Sequence, residues 1–407
     1  MKSTWQTKKL GEICEERREK NIKNLNLPVY AVSNIFGFVL SEEFFSKRVY
    51  SESLRNYKLV YKHDFAYNPA RVNVGSLGVF REDDPGLISP MYIVFYIKDK
   101  NILHPHFLFY LFKTDFYQNK IKNLAASRGS IRQTLKLEDL LNLEIPLPPL
   151  PIQQKIVKIL DTIQSAIEIH EKIIEKTKEL KKSLMNLLFH YGIKALSIKE
   201  LASSRVGELT SSEIEKLGLK LKKTEIGEIP ENWEVVRLGE IVRLSNGIRP
   251  EFNEGGGFPV YGANGIMGKS NKFLIDNEYT LIIGRVGASG EIHLASGKIW
   301  ISDNALYSSE VEKEKVYLPF LKDYLIWRNL KQFADRSTHP IITQTFLKNF
   351  KLPLPPLPEQ QEIAEILQTI DQKIEIEKKK KELYEELFKT MLNKIMSQEI
   401  DINLLDY

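Results

Sequence analysis

The chain has 407 residues, 43% of them hydrophobic, one cysteine and a formal net charge of +5. That length suits two ordinary domains with connectors, and the apolar fraction excludes global disorder. A lone Cys14 excludes an internal disulfide framework and a multi-cysteine zinc site, and no apolar run reaches the roughly 18 residues of a membrane span. Residues 1–10 are polar and lysine-bearing, without an apolar signal core, so the expected location is cytoplasmic with no membrane partner. Net charge is +6 over residues 1–150, +4 over 151–222, zero over 223–358 and −5 over 359–407. A basic first half is compatible with a nucleic-acid partner without requiring one.

In chain order, residues 1–150 read as a mixed domain. It has a β-rich segment at 92–97, an aromatic-rich helical segment at 105–122 and a Gly-rich turn at 75–78. Prolines cluster at 146–151 and then stop. Residues 151–192 are predicted as one long helix: Ile156, Ile159, Leu160, Ile163, Ile167, Ile173, Ile174, Leu180, Leu184, Leu187 and Leu188 recur at spacings of 3 and 4. A helix from about Ile152 to His190 is roughly 58 Å long at 1.5 Å per residue. Residues 193–222 read as a connector. Residues 223–358 read as a second mixed domain, with β-rich 279–283, helical 319–333 and Gly-rich turns at 255–257 and 284–290. A second long helix is predicted over 359–400, with the stripe Ile363, Ile366, Leu367, Ile370, Ile374, Tyr384, Leu387, Phe388, Met391 and Ile395. Each stripe must be buried, and the other helix is the obvious partner. The polar breaks His170, Thr177, Lys181, Glu377 and Lys381 have two readings: they set register as buried polar groups, or, the preferred expectation, they lie on the solvated edge of the stripe or face an added partner.

The chain repeats itself. PLPPLPIQQKIVKILDTIQSAIEI from Pro146 and PLPPLPEQQEIAEILQTIDQKIEI from Pro353 agree at 16 of 24 positions with an offset of 207. Upstream, WQTKKLGEI from Trp5 aligns with WEVVRLGEI from Trp233, PVYAVSN from Pro28 with PVYGANG from Pro259, and VGSLG from Val74 with VGASG from Val286. Between these anchors the copies differ almost completely. Two equivalent units in one chain pack most simply about a pseudo-two-fold axis, which makes the helices antiparallel. The expected fold is α+β: two pseudo-symmetric α/β-mixed domains separated by two long antiparallel coiled-coil helices.

The duplicated PLPPLP-x-QQ-x-I hinge and helix, with the linking segment KTEIGEIPENWEVVRLGEI (residues 223–241), resembles type I restriction-modification specificity subunits across nearly the whole chain. The two mixed domains look like that family's target-recognition domains. The resemblance implies a non-catalytic DNA-binding subunit. Each domain would read one half of a bipartite double-stranded target, and the helices would set the spacer and dock two methyltransferase subunits and, in the full enzyme, two restriction/translocase subunits. S-adenosylmethionine, Mg2+ and ATP are expected on those partners only, and the chain itself is expected to carry no cofactor. Because the domains have diverged, the target is expected to be asymmetric, with half-sites near one DNA turn apart, about 34 Å. One departure is Ile152 in the first hinge where the second has the family's acidic residue, Glu359.

Base edges are read by Arg, Asn and Gln, and phosphates are held by Lys, Arg, Ser and Thr or by backbone amides in Gly-rich turns. The candidates in the first domain are Asn68, Arg71, Asn73 and Ser76, then Arg128, Arg132 and Gln133 with the neighbouring serines 127 and 130. In the second they are Asn246, Arg249, Asn264 and Lys269, then Arg285 and Ser289, then Arg336, Thr338, His339 and Gln344 beside Thr343.

Two other function classes stand beside this one: a stand-alone DNA methyltransferase or nuclease, and a structural coiled-coil adaptor. Asn68-Pro69-Ala70 lacks the second proline and aromatic of an adenine methyltransferase motif. Gly284-x-x-Gly287-x-x-Gly290 has no surrounding βαβ unit and reads as a turn. His104 and His106 lack a partner set for a metal, and Asp83 and Asp84 read as a solvated turn. No catalytic residue and no metal ligand is assigned. The adaptor reading explains the helices but not two divergent domains.

Overall fold

A computed structural model describes residues 5–33, 37–45, 50–51, 53–71, 76–126, 134–197, 210–333 and 341–402. The chain forms two compact units, Met1–His170 with Lys380–Tyr407, and Glu171–Lys379. Among the described residues no helix is long and apolar enough to cross a membrane.

In the first unit a ribbon pairs Gln6–Lys9 with Glu144–Leu147. Two four-stranded sheets follow. One runs Cys14–Glu16, Ile93–Ile97, Phe65–Tyr67, Leu77–Val79, all antiparallel. The other runs Gly37–Leu40, Val29–Ser33, Gly86–Ile88, Lys58–Val60, with a parallel central pair in which Tyr30 faces Ile88. The helix Pro105–Lys113 carries proline in its first turn, where the missing N–H has no helical partner to lose. It buries Phe107, Leu108, Tyr110, Leu111 and Phe112 in one core with Phe65, Phe95 and the long helices.

The second unit repeats this frame. Glu234–Arg237 pairs with Lys351–Leu354 in the same four-residue antiparallel register. Both ribbons lead into the identical one-turn helix LGEI, at Leu10–Ile13 and Leu238–Ile241. Here one six-stranded sheet runs Val242–Asn246, Ala305–Val311, Ile275–Gly284, Ile292–Ile301, Phe258–Gly262, Gly265–Ser270. It too has one parallel pair, in which Tyr261 faces Ile301.

The long helices are Leu150–Tyr191 and Leu357–Met396, of 42 and 40 residues. In the first unit the start of one helix shares a core with the end of the other, through Ile156, Leu160, Leu392 and Ile395. In the second unit Leu188 and Phe189 share a core with Ile363 and Leu367. Each end therefore packs with the opposite end of its partner, so the helices are antiparallel, as the repeat implied.

Among the polar breaks in the stripe Glu377 corrects the solvated-edge expectation, while His170, Thr177, Lys181 and Lys381 are half-buried. Glu377 is 1% exposed and takes Lys373 Nζ at 2.7 Å. His170 stacks on Tyr384 with centroids 5.4 Å apart. Lys181 Nζ reaches both carboxylate oxygens of Asp371, at 2.6 and 2.7 Å. The His170–Tyr384 and Lys181–Asp371 contacts join the two helices and so favour one register, whereas Glu377 is paired within its own helix. Thr177 likewise satisfies its hydroxyl on the Ile173 carbonyl of its own helix, at 2.6 Å.

The first glutamine of each QQ pair explains why the hinge recurs. Gln153 and Gln360 are 0% exposed. Gln153 Oε1 accepts His104 N–H at 2.7 Å, and its Nε2 donates to the carbonyls of Ile102 and Pro148 at 2.9 and 2.8 Å. Gln360 Oε1 accepts Tyr317 N–H at 2.9 Å, and its Nε2 donates to Lys315 and Pro355, both at 2.8 Å. One amide thus satisfies three backbone groups and locks helix, hinge and domain together.

Candidate nucleic-acid interface

The first unit builds its polar loop on the strand Phe65–Tyr67. Asn68 Oδ1 accepts Ala70 N–H at 3.0 Å, an Asx turn that reverses the chain. Arg71 N donates to the Asn68 carbonyl at 3.0 Å, and Asn68 N donates to the Ser76 carbonyl at 3.3 Å, which closes the loop. Ser76 is 4% exposed, and its hydroxyl donates to the Val32 carbonyl at 3.0 Å. Ser76 therefore shapes the loop, while Arg71 stands exposed. Asn73, Arg128, Arg132 and Gln133 lie outside the described residues. Just after them, Leu135 N donates to the Pro69 carbonyl at 3.1 Å, so the chain leaving the second cluster lies against the first.

The second unit makes a similar bond, its acceptor one residue nearer the strand. Ile342, the 207-residue equivalent of Leu135, donates its N–H to the Arg285 carbonyl at 3.4 Å, and Val286 bridges to Ile341. Arg285 follows the strand Ile275–Gly284 as Asn68 follows Phe65–Tyr67. Its own N–H donates to the Asn304 carbonyl at 3.0 Å, and its Nη1 donates to Asn246 Oδ1 at 3.4 Å. Ser289 is 6% exposed and donates its hydroxyl to the Arg285 carbonyl at 2.7 Å, so it shapes this loop as Ser76 shapes the other. Gly290 has φ +82°, and a Cβ there would fall 2.6 Å from the Lys331 nitrogen, so only glycine fits. The glycines 284, 287 and 290 thus turn the chain between the antiparallel strands Ile275–Gly284 and Ile292–Ile301, as the turn reading expects.

Asn264 is exposed on the turn between Phe258–Gly262 and Gly265–Ser270. Its neighbour Ala263 donates N–H to Asn304 Oδ1 at 3.1 Å, which joins that turn to the Arg285 loop. Gln344 Nε2 bonds the Leu244 carbonyl, and Thr343 caps the helix Gln344–Asn349 by accepting Phe346 N–H at 3.1 Å. Arg249 and Lys269 are exposed on the adjoining segments, which Asn253 N–H joins by a 2.9 Å bond to the Lys269 carbonyl. Arg336, Thr338 and His339 lie outside the described residues. Sequence reasoning missed Asn304, which no motif marks and which only strand pairing brings to the site. Among the described residues no cluster of His, Cys, Asp or Glu could hold a metal ion. What the loops offer is donors and acceptors on well-tethered backbone, the chemistry of base-edge and phosphate contact.

A family model described as type I restriction modification DNA specificity domain matches residues 2–179 and 230–386. The putative type I restriction enzyme MjaX specificity subunit of Methanocaldococcus jannaschii is 29% identical over 98% of this chain and 94% of its own. The type I restriction enzyme MjaVIII specificity subunit of the same organism is 30% identical over 79% of this chain and 76% of its own. The crystal structure of a type I restriction-modification system S subunit from M. genitalium superposes with a TM-score of 0.60 at 19% identity, covering 96% of this chain and 95% of that one, and shares the fold.

Proposed function

We infer the function from the premise that the chain belongs to the type I restriction-modification DNA specificity family. It is a specificity subunit, and in this reading each unit reads one half of a split double-stranded target. The observation that carries the reading is the duplicated bond from Leu135 to Pro69 and from Ile342 to Arg285. It holds two polar loops in the same frame while the side chains on them differ. Unlike side chains on a shared frame call for unlike half-sites and an asymmetric target. Arg71 and Arg285 carry guanine-reading chemistry, Asn68, Asn246 and Asn264 adenine-reading chemistry, and Arg249 and Lys269 hold phosphates.

The chain itself supplies no chemistry in this reading. Methyltransferase subunits bring S-adenosylmethionine, and restriction/translocase subunits bring the ATP- and Mg2+-dependent steps. The complex works in the compartment of the chromosome.

Mapping N6-methyladenine across the source genome defines the target. Footprinting of the complex with its methyltransferase subunits should then protect two short blocks with an open spacer, and one continuous block would count heavily against the reading. Arg285→Ala should weaken binding about tenfold or more and relax preference in one half-site only. Four residues inserted in one long helix should change the spacer and leave both half-sites unaltered. Swapping residues 24–140 for those of a relative should change one half-site, and an unchanged target would favour a mere adaptor.

A further inference from the structure

Each unit also exposes a methionine near an asparagine of its polar loops. In the first unit Met91 is 61% exposed, and Asn68 Nδ2 lies 3.8 Å from its sulfur. In the second unit Met267 is 47% and its neighbour Ile266 64% exposed. A methyl built on Gly262 would fall 2.7 Å from Met267 Sδ and 3.2 Å from Asn304 Oδ1, so those two side chains flank the same glycine.

The two methionines are not equivalent in the repeat. Met91 stands three residues beyond Ile88, the position that Asn304 occupies beyond Ile301, and Ile88 and Ile301 are the matched residues of the two parallel strand pairs. The first unit therefore has methionine where the second has asparagine, and each draws the missing partner from a different element. A methionine and an asparagine thus lie on these loops in both units.

Single exposed apolar side chains are ordinary. These lie on tethered loops beside exposed cations: Arg71 in the first unit, Arg249 and Lys269 in the second. Cations flanking an apolar spot suit nucleic acid, whose phosphates they would hold. On the major-groove edges of the four bases the apolar group is the thymine 5-methyl, which faces adenine, the base that asparagine reads through N6 and N7.

We propose, resting on the recognition reading above, that Met91 in the first unit and Met267 with Ile266 in the second contact thymine methyl groups beside the adenines read by Asn68 and Asn304. The pair would read both partners of an A·T step: the amide takes the purine and the thioether the methyl.

The test uses the complex with its methyltransferase subunits, at one salt concentration, on target DNA whose thymines are replaced by uracil in one half-site at a time. Uracil removes only the methyl. Wild-type binding should fall about fourfold for each methyl lost. The Ile266→Ala, Met267→Ala double variant should bind the thymine target more weakly, lose the thymine–uracil distinction in one half-site and keep it in the other. Met91→Ala should do the reverse. Equal wild-type affinity for thymine and uracil targets would overturn the proposal, as would a variant that still distinguishes them in both half-sites. Should the wild type prefer its target over unrelated DNA while remaining blind to uracil, this inference alone fails. Should it show no preference for the target at all, the recognition reading fails with it.

Discussion

The two units solve the same problem with different sheets. In the second, the strands Ile275–Gly284 and Ile292–Ile301 run ten residues each through a single six-stranded sheet. In the first, their counterparts are cut in two: Lys58–Val60 and Phe65–Tyr67, Leu77–Val79 and Gly86–Ile88. The cut in the first of these lies at residues 61–64. There His63 adopts φ +76°, and the buried Asp64 carboxylate takes Tyr61 N–H at 2.9 Å and Arg17 Nε at 2.6 Å. An ion pair with a backbone bond stands where the strand ladder is interrupted. The frame around it is untouched: the same ribbon, the same one-turn helix and the same glutamine clamp. What recurs is the set of buried groups that satisfy backbone atoms, and what varies is the sheet that carries the reading loops.

The glutamine clamps give the hardest test of that equivalence. Gln153→Leu and Gln360→Leu each strand one N–H and two carbonyls in the interior, and each should cost about 3 kcal/mol or more by urea titration. Markedly unequal losses would break the claim that the frame is shared. A smaller effect sharpens the one hinge position where the copies differ. Glu359 Oε1 accepts Ile193 N–H at 3.2 Å and its Oε2 accepts Trp233 Nε1–H at 3.1 Å, whereas Ile152 packs on the first core and Trp5 meets Phe107 edge-on at 6.4 Å. Glu359→Ile should therefore cost about 2 kcal/mol, and thermal melts would detect it. The Lys181–Asp371 pair is half-solvated on its acidic side, so Lys181→Met should cost about 1 kcal/mol, with the difference shrinking at high salt.

Burial, then Lys100, holds His63 down to about 4 from 6.5. A depressed histidine stays neutral in the folded state while the unfolded chain takes up a proton, so stability is lost as pH falls from about 6.5 towards 4. His63→Asn keeps a residue tolerant of positive φ and removes the titration. Its urea midpoint should decline less than that of the wild type between pH 7 and pH 5. An identical decline would show that His63 carries none of the acid sensitivity.

Much of this was legible in advance. The repeated LGEI and PLPPLP-x-QQ strings marked the frame, and the spacing of Ile156, Leu160, Ile363 and Leu367 marked both helices and their pairing, because short-range periodicity is written directly into the chain. The candidates that cluster in the structure, Asn246 and Arg285 among them, followed from residue type and Gly-rich context. That rule gives no information on burial, so it could not tell Arg71, which is exposed, from Ser76 and Ser289, whose hydroxyls are spent on carbonyls.

The sequence by itself determined that there are two copies of one unit, where each long helix runs and, apart from Leu180 and Leu387, which belong to the predicted stripe yet are exposed, which face it buries, since these depend on patterns a few residues long. Only the tertiary structure decided that Glu377 and Lys181 enter the seam, that Asp64 cuts a strand, and that Asn304 and Met91 join the loops. Each of those outcomes rests on partners 23 to 190 residues away along the chain or on the neighbours that exclude water, and a buried polar group takes its meaning from whichever atom answers it.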